Sequence, residues 1–257
     1  MTDVTGVALP RLMVLTDRRM AATAGFDLAG VVAAAVDGAD GAVAVVLREK
    51  DLPRPDRYGL ATRLRAITAS AGASLIVAGD VALARQVGAD GVHVAADASG
   101  ATRQDFGVHP WRNPTQMNAE PQRTLWVGRS CHTTPELVAG AEGWIADYAT
   151  FSPVFTTASK PGYGPELGID GLAAGCRAVA GADPPLVVYA LGGIVPGRAA
   201  ACRAAGAAGV AVMGAVMRAD DPGAVVRALC DELAQPSGVP GVGISVQETP
   251  EPWRADG

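Results

Sequence analysis

The chain has 257 residues, 49% of them hydrophobic and 18% charged, enough for one sizeable core and too apolar for a disordered tail. A formal charge of −5 excludes a general nucleic-acid or anionic-membrane binder, and 5% aromatic content leaves few rings for base stacking. The four cysteines (Cys131, Cys176, Cys202 and Cys230) are widely spaced and form no CxxC pair, so they read as buried or incidental thiols rather than a zinc site or disulfide scaffold.

The N-terminal MTDVTGVALPRL lacks a basic segment followed by an apolar run, so no secretory signal is expected. The longest uncharged apolar stretch, between Arg203 and Arg218, is interrupted by Gly206, Gly209 and Gly214 and is shorter than the ~20 residues of a membrane span. The expectation is a soluble cytoplasmic protein.

Eight short apolar runs follow one another along the chain. They are Leu12–Leu15, Val43–Leu47, Ser74–Val77, Gly91–Val94, Leu125–Gly128, Tyr148–Phe151, Leu186–Ala190 and Val210–Met213. Continuous apolar runs, rather than strict alternation, suit parallel strands covered on both faces. Ala-rich, Arg-dotted stretches with helical spacing lie between them, such as Tyr58–Ala71, Thr134–Ala141 and Pro196–Ala205. GADG at 38–41, GADG at 88–91 and GAAG at 206–209 each precede a strand. The predicted joint is a helix ended by a left-handed glycine, then a tight turn. Eight strands with a repeated αβ joint predict an α/β fold, a single (β/α)8 TIM barrel. The competing open doubly wound sheet lacks a GxGxxG after the first strand. The barrel is expected over residues 1–235. A Pro-, Asn- and Gln-rich insertion is expected near 107–123, and a Pro- and Gly-rich disordered tail over 236–257.

Barrel enzymes place their sites at the C-terminal ends of the strands. There, Gly192 and Gly193 follow the seventh run, and Met213 and Gly214 close the eighth. Glycines at two adjacent strand ends let bare backbone N–H groups approach a phosphate; their plainer reading is tight turns. Arg48, Lys50, Ser130, Thr157, Ser159 and Lys160 form a second set of cations and hydroxyls at strand ends, suited to another anionic group. His132 is either a proton-transfer residue or a loop residue ahead of a helix capped by Thr133 or Thr134, with Pro135 and Glu136 in its first turn. His93, inside the fourth run, reads as structural, and His109, in the insertion, as exposed.

The segments LTD (15–17), LREK (47–50), GADGVHV (88–94), GRSCHT (128–133), ADYATFSPVFTTASK (146–160), ALGGI (190–194) and GAAGVAVMGAV (206–216) together resemble the thiamine phosphate synthase/TenI family. The resemblance runs from about Arg11 to Leu233. It implies that Arg48, Lys50, Ser130 and Lys160 hold a diphosphate and that Thr157 and Ser159 face a thiazole. Gly193 and the backbone near Gly214 would hold the thiazole phosphate. It also implies small phosphorylated thiazole or pyrimidine partners, no nucleic acid and no membrane. A homo-oligomer is left open.

Departures from the family pattern are specific. Val46 replaces a glutamine, Ala78-Gly79 an Asn-Asp pair, Ala96-Asp97-Ala98 a Gln-x-Asp, Thr156 a proline and Gly214 a serine. The two missing aspartates are the implied magnesium ligands, so Mg2+ is expected only if the reaction is the synthase's. Asp80 and Asp97 would restore the site only with shifted loops. These losses favour a TenI-type thiazole tautomerase, using His132 and Lys160 as its catalytic residues. The alternative is an active synthase joining hydroxymethylpyrimidine diphosphate to thiazole phosphate with release of diphosphate. A second alternative is a non-catalytic binder of a thiamine-related phosphate.

Overall fold

The computed structural model describes residues 9–38, 41–96, 125–142, 146–157, 165–183 and 185–235. Eight parallel strands close on themselves in sequence order. They are β1 (Leu12–Leu15), β2 (Val43–Leu47), β3 (Ser74–Ala78), β4 (Gly91–Val94), β5 (Trp126–Cys131), β6 (Tyr148–Phe151), β7 (Val187–Leu191) and β8 (Gly209–Val212). Closure is made by β1 against β8, with Leu12 opposite Val210 and Val14 opposite Val212. The fold is the TIM barrel that the eight apolar runs predict. The expected insertion near 107–123 and the tail over 236–257 lie outside the described residues.

The helices are α1 (Arg18–Thr23), α2 (Leu28–Val36), α3 (Arg54–Ser70), α4 (Val81–Gln86), α5 (Thr134–Glu142), α6 (Gly168–Val179), α7 (Ala199–Ala204), α8 (Gly214–Met217) and α9 (Pro222–Ala234). The glycine joints form as expected: Gly38, Gly88 and Gly206, just past α2, α4 and α7, have φ of 68°, 63° and 100°. α3 begins at Arg54, four residues before the predicted start, because Pro53 and Pro55 pre-set the backbone at its first turn. α7 begins three residues after Pro196. Among the described residues no helix is long and apolar enough to cross a membrane.

Two apolar layers follow from strand alternation. Outward side chains such as Leu12, Val14, Val45, Leu75 and Val127 pack beneath the helices. Inward side chains (among them Met13, Ile76, Trp126, Tyr148 and Tyr189) fill the barrel. Three inward positions are glycines where a side chain would meet neighbouring strands or rings. A methyl on Gly128 would fall inside the Tyr148 ring, one on Gly209 would meet the Arg11 carbonyl and lie 2.7 Å from the Tyr189 ring, and one on Gly91 would lie 2.9 Å from the Trp126 carbonyl oxygen. Tyr148 and Tyr189 meet edge to face with centroids 5.6 Å apart, and the Tyr189 hydroxyl donates to the Pro10 carbonyl at 2.5 Å.

Cys131, Cys176 and Cys202 are buried, Cys230 is half-buried, and all four are free. Burial pushes the Cys131 thiol up to about 12 and those of Cys176 and Cys202 to about 11, so they stay protonated and inert.

Candidate active site

The open C-terminal mouth of the barrel holds a cavity of about 890 Å³, at the upper end of the range for small-molecule sites. Every described candidate residue lines it: Arg48, Lys50, Ser130, His132, Thr157, Gly192, Gly193, Met213 and Gly214. Ser159 and Lys160 lie outside the described residues, as does Asp97.

The loop after β2 supplies Arg48 and Lys50. Arg48 is held by its backbone N–H on Thr16 Oγ1 at 3.0 Å, and its Nη1 donates to Met213 Sδ at 2.6 Å. Its nearest carboxylate, Asp17, is 4.0 Å away. Lys50 extends across Gly79: a Cβ there would lie 3.1 Å from Lys50 Cε and 3.2 Å from Nζ. Between these two cations, Glu49 turns inward, is 5% exposed, and binds the Arg18 guanidinium at 3.0 Å. Arg18 also forks onto Asp51 with two 2.8 Å bonds, which hold the Asp51 carboxyl down to about 2.

β5 runs three residues past the glycine where the sequence pattern ends it, because Arg129, Ser130 and Cys131 keep pairing with Ala149, Thr150 and Phe151 of β6. Ser130 is therefore a strand residue rather than a loop residue. Its Oγ is 3.0 Å from His93 Nε2, while His93 Nδ1 is 3.1 Å from the Tyr148 hydroxyl. The expectation that His93 is purely structural is corrected: it lines the cavity. Burial, reinforced by the nearby charges of Lys50 and Arg48, lowers its pKa to about 4, so it is neutral at pH 7.

His132 follows β5 directly. Thr133 Oγ1 accepts from Glu136 N at 3.3 Å, so Thr133, not Thr134, caps α5. Glu136 in turn accepts the His132 backbone N–H at 2.5 Å. His132 Nδ1 lies 2.9 Å from the Ser152 carbonyl, which can only accept. That bond places the proton on Nδ1 and the neutral ring's lone pair on Nε2. His132 thus combines both sequence readings: it precedes a capped helix and its ring lines the cavity.

On the opposite wall the β6 and β7 loops interlock. Val154 N donates to Leu191 O at 2.9 Å and Phe155 N to Gly192 O at 3.1 Å. Gly193 has φ 63°, and a methyl on it would lie 2.5 Å from the Thr156 carbonyl oxygen. Arg198 spans the junction, donating to Gly193 O at 2.7 Å and lying 4.7 Å over the Phe155 ring.

A magnesium ion bound with a diphosphate needs at least one or two carboxylates turned toward it. Asp80 is turned away: it caps α4 through Leu83 N at 2.8 Å and faces Arg57 at 3.7 Å. Asp80 thus sits as the cap of α4 and does not line the cavity. Asp17 caps α1 through Arg19 N and Met20 N, and Glu49 and Asp51 are engaged by Arg18. Val46 and Ala78 make that side of the cavity apolar. Among the described residues no group of three His, Cys, Asp or Glu side chains could hold a metal ion, and these residues do not fit a protein-built magnesium site.

Arg198, Arg218 and His93 are cavity residues that the strand-end reading misses. For His93 the signal was available: it stands in register between Ala78 and Gly128, both inward positions. Arg198 and Arg218 arrive from outside the strand-end segments and carry no local signal.

The family model for thiamine monophosphate synthase matches residues 12–216. A putative thiamine-phosphate synthase of Geobacter sulfurreducens is 38% identical over 224 residues, covering 85% of this chain and 92% of that protein. A thiamine-phosphate synthase of Roseiflexus castenholzii is 39% identical, covering 86% of this chain and 87% of that protein. A thiamine biosynthesis bifunctional protein of Symbiobacterium thermophilum is 40% identical over 76% of this chain, which spans only 36% of that longer protein. Among solved structures, the thiamine phosphate pyrophosphorylase of Pyrococcus furiosus superposes with a TM-score of 0.68 at 26% identity, covering 87% of this chain and 95% of that one. With its barrel, its cavity at the strand ends and these relatives, the chain belongs to the thiamine phosphate synthase family of enzymes.

Proposed function

We propose that this enzyme is a thiamine phosphate synthase, joining a pyrimidine-methyl diphosphate to a thiazole phosphate with release of diphosphate. The observation that carries the reading is the pairing of Arg48 and Lys50 in one cavity with Ser130 and the glycine loops of β7 and β8, Arg48 reaching Met213 at the end of β8. Breaking the carbon–oxygen bond sends its electron pair to the diphosphate and leaves a pyrimidine-methyl cation for the thiazole to capture. Concentrated positive charge beside the departing diphosphate lowers that barrier. Arg48 and Lys50 supply such charge, and Gly193 with the backbone near Gly214 accommodates the thiazole phosphate. On the resemblance, Lys160 is assigned to the diphosphate, and Thr157 and Ser159 to the thiazole.

This reading takes the synthase over the tautomerase that the lost aspartates favour, since the relatives over 80% of the chain carry the synthase name. One observation still favours the tautomerase. Val46, Ala78 and Ala96 line the cavity where polar pyrimidine and metal contacts are expected, while His132 keeps a geometry suited to proton transfer. Proton transfer within a thiazole carboxylate phosphate needs no diphosphate site.

The deciding assay mixes purified protein with both substrates and magnesium and measures thiamine phosphate, with and without EDTA. Formation of product supports the synthase, and its EDTA sensitivity reads whether a divalent ion takes part. No product, together with His132-dependent aromatisation of the thiazole carboxylate phosphate, replaces the synthase by the tautomerase.

A further inference from the structure

Six described cations line the cavity, and they differ in what neutralises them. Arg18 and Arg19 are tied to Asp51, and Arg18 also to Glu49. Arg218, just past α8, has no carboxylate within ion-pair distance among the described residues. Its Nη1 donates instead to Met20 Sδ at 3.2 Å. A thioether is a weak, uncharged acceptor, so that contact orients the guanidinium without neutralising it.

Arg218 also fills a particular space. A methyl built on Gly214 would lie 2.9 Å from its Cζ and 3.0 Å from Nη1. The guanidinium thus occupies the volume that any side chain at position 214 would take, at the end of β8. Gly214 and Arg218 fit together as a pair: the missing side chain is what lets the cation lie over the loop beside the cavity.

We propose that Arg218 is a specificity-determining residue of this site, a guanidinium laid over Gly214 to recognise the dianionic phosphate monoester of the substrate. The inference rests on the reading that the β7 and β8 loops receive a substrate phosphate, and it adds the charge that reads it. A guanidinium offers two parallel N–H donors to phosphate oxygens. It separates a phosphorylated ring from its free alcohol, which backbone N–H groups alone do weakly.

The test compares wild type, Arg218→Ala and Arg218→Lys by titration calorimetry with thiazole phosphate and with the unphosphorylated thiazole alcohol. The Arg218 side chain is exposed, so neither variant disturbs the core. Arg218→Ala is expected to weaken thiazole phosphate about 10–100-fold, in line with loss of a charged hydrogen-bonding group, with less than about 2-fold change for the alcohol. Arg218→Lys is expected to recover part of the loss. The wild-type affinity should also fall more steeply with salt than that of Arg218→Ala. Equal affinity of wild type and Arg218→Ala for the phosphate, alongside wild-type turnover, overturns the role of Arg218 and leaves the function standing. If wild type binds no thiazole phosphate, the functional reading fails. Thermal stabilisation by inorganic phosphate then decides the residue: a shift lost in Arg218→Ala upholds Arg218 as a phosphate site, and no difference ends the proposal.

Discussion

His93 predicts a pH dependence of folding whose sign and size follow from its surroundings. The imidazole sits between Tyr148 and Ser130, with the charges of Lys50 and Arg48 nearby, and burial is the main reason its pKa falls from the ordinary 6.5 to about 4. The unfolded chain therefore takes up a proton near pH 6.5, while the folded chain resists until about pH 4. Between those values the unfolded state binds more protons, so stability declines as pH falls through this window and levels off below it. From pH 7 to 5 the full effect is about 2 kcal/mol. The ring faces the solvent-accessible cavity, which reduces the expected loss to about 1 kcal/mol. Urea unfolding of wild type and His93→Asn at pH 7 and pH 5 measures it. The variant starts lower at pH 7, having lost two hydrogen bonds, but its stability should change less between the two pH values. Parallel losses in both proteins would refute the reasoning, since the titrating group would then lie elsewhere.

Gly193→Ala combines a left-handed backbone with a methyl 2.5 Å from the Thr156 carbonyl, so it should cost at least ~1–2 kcal/mol in urea and weaken thiazole phosphate more than the alcohol in calorimetry. Gly128→Ala places its methyl inside the Tyr148 ring and should destabilise by about 1–3 kcal/mol through overpacking; a wild-type unfolding midpoint would show that the barrel interior yields more readily than its close packing implies. Lys50→Met should leave the melting temperature of the unliganded protein within a degree or two, because the side chain is exposed, yet abolish most of the thermal shift given by diphosphate. An undiminished shift would remove Lys50 from the anion wall.

The barrel was legible because each strand is a short apolar run and each helix ends on a small set of joints. Gly38, Gly88 and Gly206 take the left-handed conformation that the repeat implies. Strand ends were less legible. Ser130 and Cys131 look like loop residues by composition, yet β6 is long enough to pair with them, and pairing is a property of the neighbour. His93 was misread for a related reason. A histidine inside an apolar run looks structural until the register sets it beside Ala78 and Gly128 and turns it inward. Arg198 and Arg218 reach the cavity from outside the strand-end segments, and only the folded chain brings them to Gly193 and Gly214.

The missing aspartate matters beyond metal binding. At Gly79 a carboxylate side chain would start 3.2 Å from the Lys50 ammonium and would neutralise it. Glycine leaves that ammonium facing the cavity, with Arg48 on the same wall resting on a thioether and 4.0 Å from its nearest carboxylate. Two such cations gain little from surrounding protein and much from an entering polyanion, because like charges on one wall repel until an anion bridges them. A diphosphate held this way meets no carboxylate at position 79 beside Lys50, and at Arg48 competes only with Asp17 at 4.0 Å. Its affinity should therefore be carried by Arg48 and Lys50 and fall with ionic strength. Gly79→Asp tests the argument from the other side: a carboxylate that neutralises Lys50 should lower diphosphate affinity in EDTA, and a divalent ion that recovers it would be bound by the carboxylate just introduced.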